Sequence, residues 1–322
     1  MGDSLNNEDI KSQKVPKNVF VLWDPPEGKW PAVVKISIEL WKKLNPTWNV
    51  NIFSRDELEE CLYQFLPGRV LRNMPIQLKA DIFRLKLLKD QGGIWADATC
   101  LPIAPLGKWF HLVEDDDFAA PGFEMLKDKG ISPDNGKAYG NWFLISKQNG
   151  YVVSKLLDRM IEFHDEPKFH IPRDGDLARH VEKNWRVFAG EHGKAAHFSP
   201  YFLMHYLTTL EFERDEKFRE ILIQNHIPRG VYNYVMSRMA RYDRDENALP
   251  EVLNFVHRAP VPCNKLDWRL APDAPWDQIY NEIYRKTSEF KVAQKITAAA
   301  KKSEDSENAP VQFKTESKKT SK

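Results

Sequence analysis

The first sixty residues alternate between two incompatible hydrophobic periods, and that alternation constrains the fold more than anything else in the chain. "VFVLW" (Val19 to Trp23) is a β-branched and aromatic run closed by "DPPEG", the pattern of a buried strand. "PAVVKISIELWKKLNP" follows, with Pro31 at a helix start, Pro46 just past its end, and Val34, Ile38 and Trp41 on one face. "VNIFS" is a second strand, and "SRDELEECLYQF" opens with the capping box Ser54–Glu57. Strand, helix, strand, helix in this order predicts crossover connections and hence an α/β fold with a mostly parallel sheet flanked by helices.

The stretch "KADIFRLKLLKDQGGIWADATC" (Lys79 to Cys100) continues the rhythm but carries polar groups that a core has no use for. Leu78, Ile82, Leu85 and Leu88 form the inner stripe of a helix that stops at Gly92-Gly93, and "IWADATCL" is expected as the next strand. Asp81 and Arg84 stand at i and i+3, on one helix face and close to the apolar stripe, where unmatched charge is costly. A structural ion pair would satisfy them, and so would a ligand carrying hydroxyls and phosphates. Asp97 and Thr99, two apart on the predicted strand, should point the same way near its carboxyl end, where open α/β sheets bind ligands. A carboxylate beside a hydroxyl suits a hard divalent cation such as Mg²⁺ or Mn²⁺; a strand-end turn cap is the plainer use of the same residues.

Composition excludes several classes. The 322 residues carry 47 basic and 46 acidic side chains, a net charge of +1, which argues against a general nucleic-acid binder. Cys61, Cys100 and Cys263 are too few and too scattered for a disulfide framework or a zinc knuckle, and they fit a reducing compartment. The polar start lacks a secretory h-region and no apolar run reaches the roughly 18 residues of a membrane span, so a cytoplasmic protein is expected. Residues 1–15 read as a flexible leader and 290–322 as a disordered tail, whose lysines could touch an acidic membrane surface. Between them, 16–289 reads as one domain, with a nucleotide-binding half over about 16–150 and a helical, acceptor-side part over about 151–289. His205, in "YFLMHYL", suits a core histidine as well as a site group, and "EDDD" (Glu114 to Asp117) reads as a solvated loop.

"ADIFRLKLLKDQGGIWADAT" resembles the core block of the capsular polysaccharide synthesis protein family, relatives of glycosyltransferase family 32 with a GT-A fold. "VPKNVFVLWD" and "ELWKKLNPTWNVNIFSRDEL" are similar to that family's opening, "NWFLISKQNGYVVSKLLDRM" and "PYFLMHYL" to its later segments, and "NKLDWR" more faintly to its C-terminal "K-L-T-x-K". The resemblance implies a GT-A-type, Rossmann-like sheet and transfer of a sugar from a nucleotide-sugar donor to a glycan or polysaccharide acceptor, with retention of configuration and a divalent cation. It implies that Trp23 stacks on the base and that Asp81 binds ribose or sugar. Arg84 would contact the sugar-phosphate side, and Gly93 belongs to the donor-binding block. Asp97 would be the metal-linked and catalytic carboxylate, with Thr99 as the second metal position. Asn141 (catalytic) and Trp142 (donor-binding) would border the sugar, and Lys265 would reach the diphosphate. Thr99 stands where many relatives have a second Asp, so a catalytically silent nucleotide-sugar-binding module is the alternative expectation.

Overall fold

The computed structural model describes residues 13–121, 140–165, 203–224, 263–266 and 276–285. Most of the leader and the whole of the tail lie outside these residues. Val15, however, is buried, and its N–H donates to the Glu114 carbonyl at 2.8 Å.

The alternation read from the sequence is realised in order. β1 (Asn18–Leu22), α1 (Ala32–Leu44), β2 (Asn49–Phe53) and α2 (Arg55–Tyr63) are followed by a short α3 (Gly68–Asn73), the long α4 (Ile76–Gln91) and β3 (Gly93–Ala96). Pro31 caps α1, and at α2 both halves of the Ser54–Glu57 capping box are made. Then come β4 (Cys100–Pro102), β5 (Phe118–Ala119), β6 (Phe143–Ser146), α5 (Tyr151–Asp165), α6 (Leu203–Arg214), α7 (Glu216–Ile223), β7 (Cys263–Lys265) and a helix α8 over 276–285.

Among the described residues, five strands form an open mixed sheet in the order β2-β1-β3-β6-β5. β1 is parallel to β2 and β3, whereas β6 is antiparallel to both β3 and β5, so four of the five strands run one way and β6 alone is reversed. The reversal matters for function. It brings the residues that precede β6 to the edge where the parallel strands end.

The two sheet faces feed separate cores. Phe20, Trp95, Leu144 and Phe118 pack with α2, α4, α5 and α6, through residues such as Leu58, Ile82, Phe83, Leu156 and Leu207. Val19, Val21, Ile94, Ala96, Phe143 and Ile145 pack with Val34, Ile38 and Trp41 of α1, with β4 and β7, and with α8. Period-two alternation therefore assigns Trp95, and by parity Asp97, to the face covered by α4.

Helix α4 stops where its glycines allow. Gly92 adopts φ 63° and donates its N–H to the Leu88 carbonyl at 3.0 Å. Gly93 has φ 123°, and a β-carbon there would stand 2.6 Å from the Asn18 carbonyl oxygen, so only glycine lets β3 enter the sheet beside β1.

The run "IWADATCL" is not one strand. β3 ends at Ala96, and the chain turns through Asp97–Thr99, with the Cys100 N–H bonded to the Asp97 carbonyl at 2.7 Å. It then enters β4, which pairs with β7 in a separate two-stranded ribbon. Asp97 and Thr99 therefore do not project together from a strand, and a turn sets their relative placement.

"EDDD" is also less solvated than its composition suggests. Asp117 accepts from the Tyr151 and Val152 N–H groups at 3.0 and 3.3 Å and so caps α5, while Glu114 pairs with Lys14 at 2.8 Å. His205 is buried in α6, beside core residues Leu203, Met204 and Leu207.

Candidate active site

Four elements from three separate stretches of sequence meet at the carboxyl edge of β1 and β3. α4 contributes Asp81 and Arg84, both less than a tenth exposed. The end of β3 contributes Asp97, and the turn that leads into the reversed β6 contributes Asn141 and Trp142, held in register by a 2.9 Å bond from the Asp97 N–H to the Trp142 carbonyl. β7 contributes Lys265, because Cys100 pairs with Lys265 across the ribbon.

Arg84 is the hub. Its guanidinium lies 3.0 Å from Asp81 Oδ1 and 3.8 Å from Asp97 Oδ1. It also donates to the Asn141 carbonyl and, at 3.4 Å, to the Ala80 carbonyl, and its Cζ stands 5.0 Å from the Trp95 ring centre. The Asn141 amide donates back to Asp81 Oδ1 at 3.3 Å. Trp95 Nε1 donates to Asp97 Oδ1 at 2.9 Å, and Lys265 Nζ donates to Asp97 Oδ2 at 2.9 Å and to Thr99 Oγ1 at 2.7 Å. Two carboxylates thus face two fixed cations, and the cluster is close to neutral.

The two carboxylates respond in opposite directions. Burial would raise the Asp97 carboxyl, but the charges of Lys265 and Arg84, with the Lys265 and Trp95 hydrogen bonds, hold it below its ordinary value. Burial pushes Asp81 up to about 6; Arg84 opposes the rise and Asp97 adds to it. Between pH values of about 4 and 6 the folded chain therefore keeps a proton that the unfolded chain has released. Asp81 then costs the fold progressively more as pH rises through that window, and the cost is complete above it. A rise from 3.8 to about 6 corresponds to roughly 3 kcal/mol. Asp81→Asn, a permanent mimic of the neutral acid, should match the wild type near pH 4 and exceed it by up to that amount at pH 7. Melting temperatures across this range check it, and a variant that loses more stability at pH 7 than at pH 4 would contradict the assignment.

Among the sequence-predicted residues, Asp81, Arg84, Asp97, Thr99, Asn141 and Lys265 come together. Trp142 joins them through its backbone, and its indole packs over Gly140, where a β-carbon would lie 2.3 Å from Nε1. Trp23 follows β1 at the same edge, half-buried, with its N–H bonded to the Phe53 carbonyl at 3.1 Å. The β1–β3 register carries it to the level of the Asp97 turn. Gly93 stands at the opposite end of β3 and has the packing duty described above. Trp95 is the residue that sequence reasoning missed; its position two before Asp97 on a strand was the available signal.

The donor set does not suit a divalent cation as it stands. Among the described residues, no group of three or more His, Cys, Asp or Glu comes together to hold a metal ion. The Asp97 and Thr99 oxygens that would face such an ion both accept from Lys265, and Arg84 adds a second positive charge on the other side of Asp97. A surface hollow of about 660 Å³ lies elsewhere, lined by Lys155, Arg159, Glu211, Asp215 and neighbouring charged residues. Those charges largely pair with one another.

The sequence profile of the capsular polysaccharide synthesis proteins matches residues 2–170, which include α4, the Asp97 turn and Asn141. The chain belongs to that family. Within the family's block, Arg84 and Asp97 are the residues that the fold brings face to face. "Putative glycosyltransferase HOC1" of Saccharomyces cerevisiae is 21% identical over 166 residues, covering 46% of this chain and 40% of that protein. The chain therefore matches less than half of that relative's length. The solved structure of PaToxG Glycosyltransferase aligns with 86% of this chain and 91% of its own, at 14% identity and a TM-score of 0.32, too low for the likeness to decide the fold. Among the described residues, no helix of this capsular polysaccharide synthesis protein is long and apolar enough to cross a membrane.

Proposed function

We propose that the chain is a glycosyltransferase of GT-A type that moves a sugar from a nucleoside-diphosphate donor to a glycan or polysaccharide acceptor, with retention of configuration. The observation that carries this reading is the pair of cations, Arg84 and Lys265, held on either side of Asp97 at the carboxyl edge of the sheet. Sugar transfer breaks the bond between the anomeric carbon and the phosphate oxygen, and negative charge grows on the departing diphosphate. Fixed cations aimed at that charge stabilise the transition state more than the ground state.

The other residues have complementary work. Asp81 accepts from ribose or sugar hydroxyls, and its raised proton affinity implies that it does so best above about pH 6. Asn141, tied to Asp81 and Arg84, borders the sugar, and Trp23, partly buried against the α1-side core at the same edge, would turn the remaining exposed part of its ring to the base. Asp97 holds both cations in place. Family membership supports the reaction class, and the name of the yeast relative is consistent with it.

The test is a panel of UDP-, GDP- and ADP-sugars incubated with the purified chain, with release of the free nucleoside diphosphate as the readout. Turnover of at least one donor is expected. Thermal stabilisation by a nucleotide without any turnover would instead identify a silent binding module, the reading that Thr99 in place of a second carboxylate favours.

A further inference from the structure

The oxygen pair to which an Asp-x-Thr motif would bind a divalent ion already holds a positive group. Lys265 Nζ lies 2.9 Å from Asp97 Oδ2 and 2.7 Å from Thr99 Oγ1, bridging the two oxygens. The side chain reaches there because β4 and β7 pair with Cys100 opposite Lys265, and the next residue locks the ladder: the Leu266 N–H donates to the Thr99 carbonyl at 3.0 Å. The ammonium is therefore delivered by backbone pairing. It retains about a fifth of its side-chain exposure, so an incoming anion can meet it. The other Asp97 oxygen faces the Arg84 guanidinium at 3.8 Å. Ammonium and guanidinium together carry two positive charges, the same total as one divalent ion, and a third cation between them would be repelled by both.

We propose that Lys265 is the resident cation of this site and that, with Arg84, it binds the donor's diphosphate without a divalent metal. The inference rests on the glycosyltransferase reading and sharpens it. Asp97 and Thr99 hold the ammonium in place of a metal, and its N–H groups meet phosphate oxygens when the donor binds. Thr99 suits this role better than a second carboxylate would, because a neutral hydroxyl can accept from an ammonium without cancelling its charge.

The test uses the full chain and UDP, GDP and ADP as probes, each with EDTA or with Mn²⁺, and follows the thermal midpoint. At least one nucleotide should raise the wild-type midpoint equally in both buffers. Lys265→Met should weaken that nucleotide at least tenfold in EDTA, and Lys265→Arg should keep most of the affinity. A rise that appears only with Mn²⁺ would overturn the inference while leaving the glycosyltransferase reading intact. No rise with any nucleotide in either buffer would remove both. Should Lys265→Met fail to fold, electron paramagnetic resonance of Mn²⁺ with the wild type decides. An undiminished free-ion signal supports the lysine, and uptake of one ion per chain overturns it.

Discussion

Asp97→Asn is expected to lower kcat on the turned-over donor by about 10²-fold while costing only about 1–2 kcal/mol of stability. The asparagine keeps the shape of the side chain and one acceptor oxygen, so the turn at 97–99 and the bond from Trp95 can persist. What disappears is the negative charge between two cations. Lys265 loses the partner at 2.9 Å that fixes its ammonium, and among the described residues Arg84 keeps only Asp81 as an ionic partner. The freed positive charge still attracts a diphosphate, so KM should change far less than kcat. That split marks an interaction which matters in the transition state more than in binding. It is measured by initial rates of nucleoside diphosphate release, with a melting curve to confirm folding. Full activity in a folded Asp97→Asn protein would remove this carboxylate from the site.

The largest stability effect belongs to Arg84. Arg84→Met should destabilise the chain by about 3–5 kcal/mol, because among the described residues it leaves the buried Asp81 facing only the Asn141 amide. It also removes the contact with the Trp95 ring and orphans the Asn141 carbonyl that the guanidinium serves. Lysine cannot substitute, since one ammonium cannot span Asp81, Asp97 and that carbonyl as a planar fork does. Denaturant unfolding gives the number, and the double variant Asp81→Asn/Arg84→Met should recover part of the loss because the uncompensated charge goes with its partner. A loss below about 1 kcal/mol for Arg84→Met would mean that solvent already serves Asp81 and that the cluster is not a closed network.

The cluster also sets folding against ligand chemistry within this chain. Keeping Asp81 ionised beside Arg84 costs folding energy at neutral pH, as its raised proton affinity indicates. A buried carboxylate held in this way at the end of a parallel sheet is a candidate for ligand binding.

Local physics, and so the sequence alone, determined β1, α1, β2, α2 and α4. Period-two and period-3.6 patterns placed β1, α1, β2 and α2, the Ser54–Glu57 box started a helix, and Gly92 ended one, because each depends on groups within a few residues of one another. The same locality put Asp81 and Arg84 on one helix face. Tertiary structure decided the rest of the site. That "IWADATCL" breaks at Asp97 and changes sheets depends on a pairing with β7, and Lys265 meets Asp97 across 168 residues. The reversed direction of β6, which brings Asn141 beside Asp81, is likewise a choice of strand partner. No periodicity encodes such partners, because the energy that selects them lies in long-range ladders and in the matching of buried charge, and those exist only once the layers have packed.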